Sequence, residues 1–454
     1  MTGIAKAVSA LTNRAVLAAS VGALIAIGAP IPASAAPFGG QAYAQLREEI
    51  ADRADNLERF YAARDNRPLW LAPDGSVTPA AEQLLRRLDT AQFDALDDKT
   101  LKRLETRSVR RDLDRAQSGK PSSVARAEVE LSQLFADYVR AMRAVPHADM
   151  MYESRALAPA VPTAEAALAA AAAALSLDEY VAEMGWMHPL YAPLRDALDS
   201  HNFAPDRRRA IWENLHRVRA LPATPPDRYV LVDAASARLW MYEDGKPVDT
   251  MRVVVGKPET PTPAMAGFIR YATVNPYWNV PPHLVRQTIA QGVLKGGTRY
   301  LARGGYEVLS DYSEDAVLLD PRKVDWKSVA QGGPQPYVRQ KPSKSNFMGK
   351  VKYEFPNPAG IYLHDTPERA LLKLDERQLS NGCVRLEDAE RFGQWLIGRS
   401  VNKIPAGKEQ RIDLDTYVPV YITYLTAAPS AKGIAFRDDV YGRDGGVQVA
   451  RGSD

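Results

Sequence analysis

The hydrophobic pattern of this chain changes period once, at the proline-rich stretch Leu221-Pro222-Ala223-Thr224-Pro225-Pro226. Ahead of it, segments such as Leu46 to Ala62, Ala80 to Ala91 and Ala125 to Ala144 carry apolar residues at helical spacing with charged opposite faces. Turn signals separate them, among them Pro73-Asp74-Gly75 and Gly119-Lys120-Pro121. Behind it, Arg228 to Asp233 and Ala237 to Glu243 alternate or run β-branched and aromatic, Asp244-Gly245 supplies a hairpin turn, and Asp249 to Val255 continues as a strand. Phe268 to Asn275, Val351 to Phe355, Gly360 to His364 and Val418 to Tyr424 are further predicted strands, and a helix is predicted from Leu386 to Ile397. The 454 residues exceed ordinary single-domain size. The pattern predicts an α+β multidomain chain, with a mostly α-helical domain over 36–226, a mostly β domain over 227–425 and a loose tail over 426–454. No internal repeat is evident.

Two segments depart from these patterns. Ala164 to Leu175 is nearly all alanine, too short and too weakly apolar to span a membrane, and is read as a closely packed helix. Between Pro282 and Val351 the chain is rich in glycine, lysine and charge, with little periodicity. A stretch of that length inside a compact domain is read as a lid or capping element, at about 283–350.

The N-terminus reads as an export signal. Lys6 and Arg14 precede an apolar run from Ala15 to Ile27, then Pro30, Pro32 and Ala33-Ser34-Ala35, a small-x-small cleavage site. An uncleaved anchor is the competing reading, but the prolines interrupt the run before it reaches bilayer length. Residues 1–35 are therefore expected to be a signal peptide, and the protein to act in the periplasm or cell envelope. A formal net charge of +3 and the lack of any block of like charges point away from nucleic acid.

An exported chain with one cysteine cannot form an internal disulfide. A lone cysteine is ordinarily a small buried hydrophobe. Here its neighbours argue otherwise. Ser380-Asn381-Gly382-Cys383-Val384-Arg385 follows Tyr362-Leu363-His364-Asp365-Thr366, with fifteen residues between His364 and Ser380. A thiol nucleophile needs a base to take its proton and donors for the oxyanion that follows attack. Gly382 leaves main-chain N–H groups free to face a substrate. Arg385 lies close enough in sequence to lower the thiol pKa or hold a substrate carboxylate, with a helix-start ion pair as the competing role. His147, His188, His201, His216 and His283 lie outside the motif and are read as structural or surface residues.

The pattern of His, fifteen residues, then Ser-x-Gly-Cys-x-Arg resembles the active-site signature of the L,D-transpeptidase (YkuD-type) catalytic domain. The likeness extends over roughly 228–425 and includes Val253-Val254-Val255-Gly256-Lys257, the Thr262-Pro263 turn and Asn275-Pro276-Tyr277-Trp278-Asn279-Val280-Pro281. The last run resembles the large, YcbB-like branch, and the helical half, with Trp70 and Asn214-x-x-Arg217-x-Arg219, is similar to that branch's scaffold domain. The resemblance implies Cys383 as nucleophile and His364 as general base. It places Gly382 in the oxyanion turn, with the amides of Gly382 and Cys383 as donors. Tyr362, Ser380, Asn381, Arg385 and Trp278 are implied to line the substrate site. The implied reaction is acyl transfer on peptidoglycan tetrapeptide stems, with release of D-alanine and formation of 3-3 crosslinks. It calls for no metal or cofactor. Implied partners are the stem peptides, other cell-wall synthesis proteins, and carbapenem-type inhibitors that acylate Cys383.

Two departures stand out. Asn381 occupies a position where many members have a second histidine. The chain also passes from the Ala192 to Leu198 helix almost directly into Arg207 to Arg219, where large-branch proteins carry a peptidoglycan-binding module. Hydrolysis of the acyl-enzyme, attachment of an envelope protein, and a noncatalytic wall-binding scaffold are the alternative functions. Ser400-Val401-Asn402-Lys403 matches the Ser-x-x-Lys pattern of serine acyltransferases but lacks partner motifs, and no His-Glu-x-x-His or papain-like cysteine segment is present.

Overall fold

The computed structural model of the protein describes residues 38–445 apart from 54, 73, 145–148, 314 and 406. The predicted signal peptide and His147 lie outside the described residues. Among the described residues no helix is long and apolar enough to cross a membrane.

The helical half forms around the 23-residue helix Pro121–Arg143, whose proline opens its first turn and whose buried stripe includes Val124, Leu131, Phe135 and Met142. Helix Pro79–Asp89 is capped by Thr78, whose side chain accepts from the Ala81 amide, and it ends on Arg86 and Arg87. The alanine-rich segment is a helix, Ala164–Ala172, burying Ala164, Ala167, Leu168 and Ala171, as close packing requires. The predicted helix from Leu46 to Ala62 is two helices, Phe38–Arg53 and Glu58–Ala62, joined by a 3-10 turn at Asp55–Leu57. The break lets Leu57, Phe60 and Tyr61 turn into the core.

The β half is one ten-stranded sheet that closes on itself. Its strands are β1 (Met151–Tyr152), β2 (Arg228–Asp233), β3 (Arg238–Glu243), β4 (Lys246–Gly256) and β5 (Met265–Val274). β9 (Val351–Glu354), β10 (Leu363–His364), β11 (Gln378–Ser380), β12 (Val384–Leu386) and β13 (Gln410–Thr423) complete it. The order is β1-β5-β13-β2-β3-β4-β12-β10-β9, with β9 returning to pair with β5 and β11 pairing with β4. Asp244 and Gly245, both at positive φ, make the tight turn between β3 and β4. β2 is buried along almost its whole length because Val230 and Val232 enter the sheet's core, while Tyr229 and Leu231 pack on Met150, Leu157, Ala220 and Leu221 of the helical half. The predicted helix from Leu386 is shorter, Ala389–Ile397, since Leu386 belongs to β12 and Asp388 caps the helix through the Arg391 amide.

The segment read as a lid or capping element is an insertion with a fold of its own. β6 (Trp278–Asn279), β7 (Tyr306–Leu309) and β8 (Tyr337–Gln340) form their own sheet in the order β6-β8-β7. With short helices they enclose a separate core that includes Val280, Ile289, Leu301, Trp326 and Val338. The loose tail from 426 is not loose up to Asp444. β14 (Ala427–Ser430) and β15 (Gly433–Phe436) form a hairpin, and Ala427 and Ala428 are buried in the core of the helical half. After β13 the chain thus returns to its first half.

Candidate active site

The site grows from one parallel strand pair. Leu363 lies opposite Val384 and His364 opposite Arg385, while β9 flanks the other side with Tyr353 opposite Leu363 and Lys352 opposite His364. Side chains alternate along a strand, so directly opposed residues share a face. Leu363, Val384 and Tyr353 point into the apolar core. His364, Arg385 and Lys352 therefore stand on the opposite face, joined by Tyr362 and Cys383 one alternation away. The Val384 amide donates to the Tyr362 carbonyl at 2.9 Å, which brings Tyr362 and Cys383 side by side.

His364 is 2% exposed. Its Nδ1 lies 2.5 Å from the main-chain oxygen of Asp365. A carbonyl can only accept, so Nδ1 carries the proton and Nε2 is left as the basic nitrogen. Burial, then the Arg385 guanidinium, bring the imidazole pKa down to about 3, against opposing backbone hydrogen bonds to Asp365 and Met348. The Asp365 carboxylate faces elsewhere, accepting from the Lys350 amide at 2.8 Å and from Arg369 at 2.5 Å. The group that orients His364 is thus a carbonyl, which no side-chain pattern could reveal.

Cys383 is half-buried, with its sulfur 3.7 Å from the Gly360 carbonyl. Burial pushes the thiol up, while the Tyr362 backbone, Arg385 and Lys352 pull it down. Lys352 stands with its ammonium 5.2 Å from the centre of the Tyr362 ring and 3.1 Å from the Glu354 carboxylate. Glu354 also accepts from Thr273 at 2.6 Å and Tyr271 at 3.2 Å. The Tyr362 hydroxyl is pushed up to about 12, chiefly by burial.

The nucleophile turn is held from within. The Ser380 hydroxyl donates to the Cys383 carbonyl at 2.7 Å and accepts the Gly382 amide at 3.1 Å. Gly382 has φ of +115°, a conformation that favours glycine. Two expectations change here. The Gly382 amide already has a partner, so of the two expected oxyanion donors only the Cys383 amide has no hydrogen bond among the described residues. Ser380 is 1% exposed with its hydroxyl engaged on both sides, so it shapes the turn instead of facing a substrate. Asn381 is exposed at the turn. Arg385, in β12, pairs with Glu368 of the loop that follows β10, an ion pair away from any helix start. Trp278 packs on Phe347 with ring centres 5.0 Å apart, in the wall of the insertion's own core. The insertion reaches the site through the next residue, Met348, which backs His364. The Ser400 hydroxyl donates to Glu390, and Lys403 is exposed.

Comparison with known proteins follows the same division. Residues 227–421 match the L,D-transpeptidase catalytic domain (YkuD), and residues 55–198 match the Scaffold domain. A Haemophilus influenzae protein named "Putative L,D-transpeptidase" is 26% identical over 409 residues, spanning 87% of this chain and 79% of its own. Among solved structures, a cysteine-to-serine mutant of the Enterococcus faecium L,D-transpeptidase is 15% identical over 43% of this chain and 50% of its own, with a TM-score of 0.23. An L,D-transpeptidase from Mycobacterium smegmatis is 12% identical over 45% of this chain and 61% of its own, with a TM-score of 0.22. The Enterococcus faecium catalytic domain acylated by ertapenem is 16% identical over 44% and 98%, with a TM-score of 0.21. The chain therefore spans 50% and 61% of the first two of these solved chains. Two domain matches in series, over the helical half and over the closed sheet that carries Cys383, give the chain an L,D-transpeptidase catalytic domain (YkuD) behind an N-terminal Scaffold domain.

Proposed function

We propose that this enzyme forms 3-3 crosslinks in peptidoglycan through a thioester on Cys383. The observation that carries the reading is the pairing of β10 with β12, which puts His364 on the same face as Cys383, with its Nδ1 tied to the Asp365 carbonyl. Nε2 takes the thiol proton as sulfur attacks the carbonyl of the third, diamino-acid residue of a tetrapeptide stem. The new S–C bond makes a tetrahedral oxyanion, and the Cys383 amide donates to it. The C–N bond to the terminal D-alanine then breaks, and His364 returns the proton to the leaving amine. An amine of a neighbouring stem attacks the thioester, forming the C–N crosslink and releasing the thiolate, which regains its proton. Arg385 and Lys352 favour the anionic states of this sequence and disfavour an idle imidazolium.

In this reading the protein acts in the cell envelope after export, its partners are stem peptides and the wall-synthesis machinery, and carbapenems acylate Cys383. Incubation with purified tetrapeptide muropeptides, followed by mass analysis, tests it. A dimer lacking one D-alanine supports transpeptidation. Tripeptide alone means that water is the acceptor and the enzyme is a carboxypeptidase. No product, with wall binding intact, means a noncatalytic scaffold. A stem joined to an envelope-protein lysine, with no dimer, means attachment.

A further inference from the structure

The C-terminal segment that folds back onto the helical half also touches the nucleophile's support. The Tyr441 hydroxyl donates to the Gly256 carbonyl at 2.5 Å and lies 3.4 Å from the Thr262 amide, so it bridges both ends of the turn that leaves β4. Across that turn the Gly256 amide donates to the Thr262 hydroxyl at 2.8 Å, and the same hydroxyl donates to the Gly382 carbonyl at 2.7 Å. The turn is folded tightly. A Cβ on Gly256 would lie 2.2 Å from the Thr260 oxygen and 2.5 Å from the Thr262 nitrogen. The Lys257 amide donates to the Ser380 carbonyl at 2.9 Å, so the turn grips the nucleophile loop at two points.

The Gly382 carbonyl and the Cys383 amide belong to one planar peptide unit and point in opposite directions. Whatever fixes that carbonyl also fixes the direction of the Cys383 N–H. We propose that Tyr441 is a positioning residue: through the Gly256–Thr262 turn it aims the Gly382–Cys383 peptide, and with it the oxyanion donor. The inference rests on the reading of Cys383 as an acyl-forming nucleophile.

Tyr441 is itself held rigidly, which a positioning residue requires. Its ring stacks on Tyr424 at 4.7 Å, and its amide donates to the Tyr424 hydroxyl at 3.0 Å, which in turn donates to Asp439 at 2.9 Å. The Arg217 guanidinium lies 5.3 Å from the centre of the Tyr424 ring and donates to Asp444 at 2.7 Å and to the Arg443 carbonyl at 2.6 Å. Arg217 belongs to helix Pro205–Arg219, so the helical half anchors the donor of the β half.

The test uses the full chain and two reactions of the same thiol. Acylation by imipenem passes through an oxyanion, whereas alkylation by iodoacetamide does not. Tyr441→Phe keeps the ring stack and removes the hydroxyl. It is expected to slow imipenem acylation by ~10-fold, while alkylation at the same pH stays within about twofold and the Tm holds. Thr262→Val is expected to lose at least as much acylation and Thr262→Ser to recover it. In the Tyr441→Phe/Thr262→Val pair the losses should not multiply, since both break one chain. Wild-type acylation by Tyr441→Phe overturns the proposal, as does a parallel fall of acylation, alkylation and Tm. Failure of the unaltered chain to react with imipenem while it is alkylated removes the acyl-enzyme reading itself, and the proposal with it.

Discussion

His364 donates its Nδ1 proton to the main-chain oxygen of Asp365 over 2.5 Å. A carbonyl partner fixes ring orientation and tautomer without adding the negative charge that would raise the imidazole pKa, unlike a carboxylate. With burial and the Arg385 cation it keeps the base neutral down to about pH 3. A base is lost as pH falls through its folded pKa, so kcat/KM should show no inflection near 6.5 between pH 5 and 8. A bell with an acid limb at an ordinary histidine value would contradict this. His364→Gln should cost ~1,000-fold in acylation by removing the proton acceptor.

Arg385 and Glu368 set the charge beside the thiol. Arg385→Met should raise the Cys383 pKa and slow iodoacetamide alkylation at pH 8, because one of the two cations that lower that pKa is gone. Glu368→Gln should act in the opposite direction by leaving the guanidinium uncompensated. The pH dependence of alkylation measures both.

Buried histidines also shape acid stability. His188, like His364, is held near pH 3 by burial, against an unfolded value of 6.5. Between those values the unfolded chain binds more protons, so each contributes stability that is lost as pH falls through that window. His188→Gln should lower the Tm at pH 7, yet flatten its decline between pH 6 and 4. An unchanged slope would exclude His188 as a contributor.

In the helical half, Glu128 is fully buried and accepts the amides of Leu69, Trp70 and Leu71 together with the Tyr61 hydroxyl. Removing it strands these donors in an apolar core. Glu128→Ala should cost about 3 kcal/mol or more, read by urea unfolding.

Much of this architecture is visible in the chain itself, for reasons that differ by region. β2 to β5 show because β-branched and aromatic residues alternate there, and Asp244-Gly245 has the turn chemistry a tight hairpin needs. Cys383 and His364 show because their chemistry is concentrated in two short motifs. Register does not show. That Lys352, His364 and Arg385 stand in one row depends on three strands drawn from across 34 residues. The inner structure of the capping insertion does not show, because its helices run only three to six residues, too short for periodicity. The partners of Tyr441 and Arg217 do not show, because their contacts cross over 180 and 220 residues. The partner of the Gly382 amide does not show either, because only the folded turn brings the Ser380 hydroxyl onto it.

Acid-quenched intact-mass analysis during turnover of tetrapeptide muropeptides is the most direct test of an acyl-enzyme on Cys383. The expected result is a transient adduct of the stem truncated by one D-alanine, mapped to Cys383 and absent from Cys383→Ala, which makes no dimer. Dimer formation by Cys383→Ala, or an adduct mapped to another residue, would contradict it.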